Sequence, residues 1–305
     1  MSGSTPAVRA FLFGAAVWSV IGGCQRSPEP REPSPAAPRI VSLSPALSRT
    51  LLDLGQSDLI VGRSAFCATL SADIPVVGNL YEVDYERLIR LDPTHVLIQP
   101  PAAGPDPQLQ RLADRHGWTL AAWKINTIED IEQVIRDLPG VLYPDRADDQ
   151  ALVAGRAAAL LNDVAAALSP GRNPGWHGRT LLVSNTEPVR VFGHGTYLHD
   201  VLAAQGGANA VAAEGWVELS LEDVGRLDPE AIIIVRDHGS PDVDAIAAAG
   251  PLTRIDTAAS RHERIAVLWH PDAKLPSSGI VGVAQEMRRV LEELAEQENR
   301  RGSHE

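Results

Sequence analysis

The strongest constraint on this chain is a phrase written twice. Residues 90–106 read RLDPTHVLIQPPAAGPD, and residues 226–242 read RLDPEAIIIVRDHGSPD, 136 positions later and without a gap. Arg90/Arg226, Leu91/Leu227, Asp92/Asp228, Pro93/Pro229, Ile98/Ile234, Pro105/Pro241 and Asp106/Asp242 are identical pairs, and upstream Glu82 and Glu86 match Glu218 and Glu222. A solenoid repeats every roughly 20–50 residues, so this spacing describes two related lobes. The 305 residues are enough for about two domains.

Around the repeat the pattern alternates strand and helix. Ile40, Val41 and Leu43 suit a strand, Ser44-Pro45 suits a helix cap followed by proline at the first helical position, and Gly55 closes that helix. LIVG then reads as a second strand, so a strand–helix–strand unit and a parallel sheet follow. THVLI and EAIIIV are buried strands of nearly continuous apolar residues. Between the halves, Thr127 and Asp130 form a capping-box pattern, and residues 146–168 read as one helix of about 35 Å. Its Leu152, Arg156, Ala159, Leu160, Asp163, Val164 and Ala167 follow helical spacing. RTLLVSN opens the second lobe as RIVSLSP opens the first. The fold class expected is α/β: two related lobes with parallel sheets, joined by one long rigid helix, with a ligand cleft between them. The shared Pro-Asp is expected to start a helix at the exposed tip of each lobe.

The first residues carry an address. Arg9 precedes the apolar run 10–21, too short for a comfortable membrane span of about 20 residues, and Ile21-Gly22-Gly23-Cys24 follows. This resembles a bacterial lipobox, which implies lipidation at Cys24. Residues 25–38 hold five prolines and no large apolar side chain, the composition of an extended tether. The boundaries read from the sequence are a signal at 1–23, the tether at 24–38, an N-terminal lobe at 39–126, connecting helices at 127–170 and a C-terminal lobe at 171–305. Cys67 is the sole cysteine in the body, so no disulfide forms there. A net charge of −12 argues against nucleic acid as a partner.

The order RIVSLSPALSRTLLDLG, VDYERLIRLDPTHVLI, GTYLHDVLAAQGGANAVA and WVELSLEDVGRLDPEAIIIV resembles the periplasmic substrate-binding proteins of ABC importers for cobalamin, haem and ferric siderophores. The resemblance spans about residues 39–298. The segment VGRSAFCATLSADIPVVGN, with its Phe66-Cys67 pair, leans toward the cobalamin-binding branch. It implies a monomeric, lipid-anchored protein on the periplasmic side of a cell envelope, which captures a metal chelate without chemistry or cofactor and hands it to an ABC permease. In that family an acidic residue on each lobe tip, more often glutamate, pairs with permease arginines. Asp106 and Asp242, with Asp244 as neighbour, occupy that location.

Open α/β sheets bind ligands outside the carboxyl ends of their strands. The loops there carry Ser44, Phe66, Tyr81, Trp123, Tyr197, Trp216, Trp269 and His270. Flat rings cover a corrin or porphyrin edge at low entropic cost. Tyr81 and Trp216 fall in equivalent segments, and His270 is a candidate axial ligand to a chelated metal. A receptor for bare zinc or manganese is the close alternative. It needs about four His, Asp or Glu ligands, but His194, His199, His238 and His270 all lie in the second half, while His95 sits in an apolar strand and His116 near a helix end. A hydrolytic enzyme is less favoured. The chain has no Gly-x-Ser-x-Gly elbow, no His-Glu-x-x-His and no phosphate-cradling loop, and His194 and His199 are five apart rather than the four that share a helix face.

Overall fold

The computed structural model describes residues 37–79, 82–169, 174–240 and 242–302. The first lobe runs β1 (Ile40–Ser42), α1 (Pro45–Asp53), β2 (Ile60–Ser64), β3 (Val76–Gly78), α2 (Tyr85–Leu91), β4 (His95–Ile98), α3 (Pro107–His116) and β5 (Thr119–Ala122). Its sheet has the order β3-β2-β1-β4-β5, and every pairing is parallel. As expected, Ser44 caps α1, its hydroxyl accepting from the Leu47 amide with Pro45 behind it. Thr127 and Asp130 close a capping box on α4 (Ile128–Leu142), which leads into α5 (Ala147–Leu168).

The second lobe begins with β6 (Arg179–Thr186), followed by β7 (Val189–Phe192), α6 (Tyr197–Ala204), β8 (Ala208–Asn209), β9 (Trp216–Leu219), α7 (Leu221–Leu227), β10 (Ala231–Arg236), α8 (Ala245–Ala249), α9 (Ala258–Arg261), β11 (Ile265–Trp269) and α10 (Ile280–Gly302). The β11-β10-β6 core of this sheet is parallel, and β7 and β9 extend it in antiparallel register. That extension is short-range in sequence: two residues link β6 to β7, a hairpin connection that a parallel pair cannot use.

The repeated phrase has one structural purpose. α2 and α7 both end on an aspartate in left-handed backbone, Asp92 at φ 43° and Asp228 at φ 42°. Aspartate is among the few side chains that tolerate this conformation, and the following proline stops the helix. An arginine then fills the exposed carbonyls. Arg39 donates to the Leu91 and Asp92 oxygens at 2.6 and 3.1 Å, and Arg179 to those of Leu227 and Asp228 at 2.7 and 2.6 Å. Each cation also complements the negative end of its helix. The carbonyls of Arg39 and Arg179 accept from the amides of Thr94 and Glu230, which tie the cap to the next strand.

Downstream the two copies part. Asp106 caps α3 with Pro107 in its first turn, as expected. Asp242 does not start a helix; Asp244 does, its carboxylate accepting from the Ala247 amide at 2.8 Å. The α5 stripe holds in its second half, where Val164 and Ala167 are buried, and is shifted by one position in its first, where Val153 and Ala157 are buried and Leu152 is 59 % exposed. α5 is long and apolar enough to cross a membrane by length and composition, yet this stripe belongs to the protein core.

A single buried cluster runs from Ile40, Leu47 and Leu97 of the first lobe through α4 and α5 to Tyr197, Ile233 and α10 of the second. Two polar ties cross the same seam. The Tyr197 amide donates to the Asn126 carbonyl at 2.6 Å, and the Ile128 amide to Asp200 at 3.0 Å. On the other side Arg49 of α1 pairs with buried Asp272 at 3.0 Å, and Ser278 donates to Asp53 at 2.6 Å.

Candidate ligand-binding site

At the carboxyl end of β2, Phe66 is 69 % exposed, whereas its neighbour Cys67 is buried with its thiol 3.1 Å from the Ser48 hydroxyl. Burial pushes that thiol's pKa up, so it is a packing residue. On the second lobe Trp216 is 51 % exposed and leans on buried Phe192, ring centroids 4.2 Å apart. An apolar ring held half out of a protein by a partner beneath it is a preformed contact surface.

Beneath the face that carries Trp216, a chain of buried contacts runs through the second lobe. Phe192 meets Tyr197 edge-on at 5.8 Å, and the Tyr197 hydroxyl donates to the Ala273 carbonyl at 2.7 Å. Tyr197 itself is 1 % exposed, and burial drives its pKa well above the usual phenol value. It supports this face from beneath rather than presenting a ring to it. Beyond Ala273 lies Lys274, whose ammonium is 3.6 Å from Asp237, and Asp237 also pairs with His238 at 2.6 Å.

The other expected residues divide by what already holds them. Ser44 is buried, committed to the α1 cap and to Gln99 at 3.2 Å. Trp123 is half-buried, and its indole donates to Asp137 of α4 at 3.0 Å. Trp269 closes β11 with a buried indole N–H that has no hydrogen-bond partner among the described residues. Tyr81 and Cys24 lie outside the described residues.

His270 is held by its own turn and by the helix behind it. Its Nδ1 accepts from the Asp272 amide at 3.1 Å, which puts the proton of the neutral ring on Nε2. A Cβ at Gly282 would stand 2.4 Å from that Nε2, so the second nitrogen is packed against α10. Burial also holds the His270 pKa below its ordinary value, with Asp272 opposing. Sequence spacing misjudged one pair: His194 precedes α6 and His199 lies within it, yet their rings stack with centroids 4.0 Å apart. Among the described residues no group of three or more His, Cys, Asp or Glu side chains is placed to hold a metal ion.

The apex of the first lobe is electrostatically settled. Asp106 accepts from the Tyr85 hydroxyl and, at 2.8 Å, from the Gln108 amide. The Tyr85 bond, more than the amide, holds its carboxyl pKa below the usual range, so Asp106 stays ionised. Partial burial and that same carboxylate push Tyr85 up to about 12.

Comparison with solved structures decides the architecture. The haem-binding protein RhuT of Roseiflexus sp. RS-1 matches with a TM-score of 0.64 at 23 % identity, over 85 % of this chain and 100 % of that one. The vitamin B12 binding protein BtuF of Vibrio cholerae matches at 0.63 and 18 %, over 85 % and 98 %. A component of an Fe3+-hydroxamate ABC-type transport system from Saccharomonospora viridis DSM 43017 matches at 0.59 and 22 %, over 83 % and 93 %. The chain has the fold of the periplasmic solute-binding proteins. No family model matches it, and neither does any curated protein. At these identities the fold is what is shared.

One feature of the site escaped the sequence reading. Arg236 and Lys274, separated by 38 residues, meet at the carboxyl ends of β6 and β10. Arg236 ends a run of buried apolar residues, which is the one signal that could have singled it out.

Proposed function

We propose that this protein is the solute-binding component of an ABC importer for a chelated-metal nutrient, with cobalamin the first candidate and haem or a ferric siderophore next. The observation that carries the reading is the pair of exposed rings, Phe66 on one lobe and Trp216 on the other, in a fold shared with a haem-binding protein, a vitamin B12 binding protein and a protein of iron-hydroxamate transport. Two rigid apolar plates suit a flat macrocycle better than a bare ion, and the described residues lend no cluster to the zinc or manganese alternative. The protein's work is capture and handover, without chemistry. The Phe66-Cys67 pair is what favours cobalamin.

Delivery fits the same picture. Cys24 is the proposed lipid anchor on the periplasmic side, followed by the proline-rich tether, and the body acts as a monomer. Asp106 and Asp242 are the proposed docking points for a permease, with Asp244 now occupied in capping α8. Exposed ion pairs are worth about 0–1 kcal/mol each and mainly set orientation and association rate. Asp106→Ala with Asp242→Ala should therefore weaken permease association and leave ligand affinity unchanged.

The test of the function is titration of the purified protein, read by visible absorbance for cyanocobalamin, ferric haem and a ferric hydroxamate and by calorimetry for zinc and manganese. One-to-one saturation by a chelate supports the reading. Saturation by a bare ion alone would replace it with the metal-receptor alternative.

A further inference from the structure

The molecule carries a net charge of −12, yet one recess in it is cationic. A cavity of about 160 Å³ opens at the carboxyl ends of β6 and β10, lined by Ser184, Asn185, Thr186, Arg236, His238 and Lys274. The carboxylate beside Lys274 is Asp237, which also shares a hydrogen bond with His238. Arg236 is different. Its Nε is buried with no hydrogen-bond partner, and its guanidinium makes no ion pair among the described residues. The Arg236 side chain is only half-buried and lines the polar cavity, so its charge, without an ion partner there, is open to an anionic acceptor from outside. Arginine presents a planar fork that matches a carboxylate or phosphate with two parallel hydrogen bonds, and Lys274 and the Thr186 hydroxyl add donors, while Ser184 and Asn185 already donate to the carbonyls of Arg190, Glu187 and Pro188.

We infer that this cavity is an oxyanion subsite that receives a carboxylate or phosphate arm of the bound solute. The inference rests on the reading of the chain as a solute-binding protein and adds a polarity to it. Trp216 and this cavity belong to the same lobe, and a macrocycle lying on Trp216 turns its charged edge toward Arg236 and Lys274. The aromatic end supplies area and the cationic end supplies orientation. Asp237 holds Lys274 in place and offsets part of the positive charge when the cavity is empty.

Two matched pairs of chelates test this on the full chain. Ferric haem has two carboxylates, and its dimethyl ester has none; cobalamin has a phosphodiester, and cobinamide lacks it. Affinities are read by absorbance at low salt for the wild type and for Arg236→Gln with Lys274→Gln, and inorganic phosphate and acetate are titrated separately by their effect on melting temperature. The expected result is that the double variant weakens the acid-bearing chelate about tenfold or more and leaves its neutral counterpart unchanged. Loss with haem identifies a carboxylate arm, and loss with cobalamin a phosphate arm. Phosphate or acetate should raise the wild-type melting temperature and not that of the variant. If no chelate binds but the anion still stabilises the protein through Arg236, the subsite stands and the transport reading falls. If a chelate binds wild type and variant alike and neither anion shifts melting, the subsite is overturned and the transport reading stands.

Discussion

At the ends of α2 and α7 the two lobes are superimposable in chemistry: a left-handed aspartate, a proline, and an arginine from the first strand donating to the last carbonyls. A few residues later they diverge. In the first lobe a ten-residue α3 begins at once behind Asp106; in the second, a five-residue α8 begins behind Asp244, and the sheet gains the antiparallel strands β7 and β9. The shared part is where backbone conformation permits few alternatives. The divergent part lies at the strand ends and lobe apices, where a ligand or partner chooses the side chains.

The sharpest way to break this comparison is through the core. Leu97 and Ile233 are equivalent in the repeat, fully buried, and members of one continuous cluster. Leu97→Ala and Ile233→Ala should each cost about 2–5 kcal/mol, and calorimetry should show one transition for each variant. Two separated transitions would mean that the lobes fold independently despite the shared core.

Substitution of the left-handed aspartates probes the same symmetry more finely. Asp92 makes only backbone contacts at its cap, so Asp92→Gly should change stability by no more than about 0.5 kcal/mol. Asp228 also accepts from the Ala258 amide at 2.6 Å and pairs with Arg261. Asp228→Gly should therefore cost about 1–2 kcal/mol in chemical denaturation. Equal effects would show that the side chain of Asp228 is incidental.

A smaller asymmetry lies in pH. His95 in β4 is buried between Thr94 and the Val141 carbonyl, and burial holds its pKa below the ordinary value; the equivalent residue in β10 is Ala231. The neutral ring is thus favoured in the folded state. Its contribution is fully present above the unfolded pKa of about 6.5 and is lost as pH falls from there through the folded value. His95→Ala should flatten the decline in stability between pH 7.5 and 5.5 by about 1 kcal/mol or less. An unchanged slope would assign the acid sensitivity to His199 and His270, whose pKa values burial also lowers.

Most of the architecture was legible in the sequence because strand, cap and turn signals are local. Ser44-Pro45, Thr127 with Asp130, and the continuous apolar strands each specify their element within a few residues. The strands β7 and β9 were missed because neither is a continuous apolar run, and Trp216 and Val217 gain their partners only from a strand some 25 residues earlier. The site was less legible. Exposure separates Phe66 and Trp216 from Ser44 and Tyr197, and no sequence pattern reports exposure for a loop residue. Arg236 and Lys274 meet through tertiary structure alone.

The central claim is that both lobes grip one solute, and affinity measured across a two-site substitution cycle tests it most directly. The full chain, Phe66→Ala, Trp216→Ala and the double variant are titrated with the chelate that saturates the wild type. Each ring buried against a ligand is worth about 1.5–3 kcal/mol, so each single substitution should weaken binding at least about tenfold, with one-to-one stoichiometry throughout. Full affinity after loss of either ring would contradict the account, because the solute would then be held by one lobe alone.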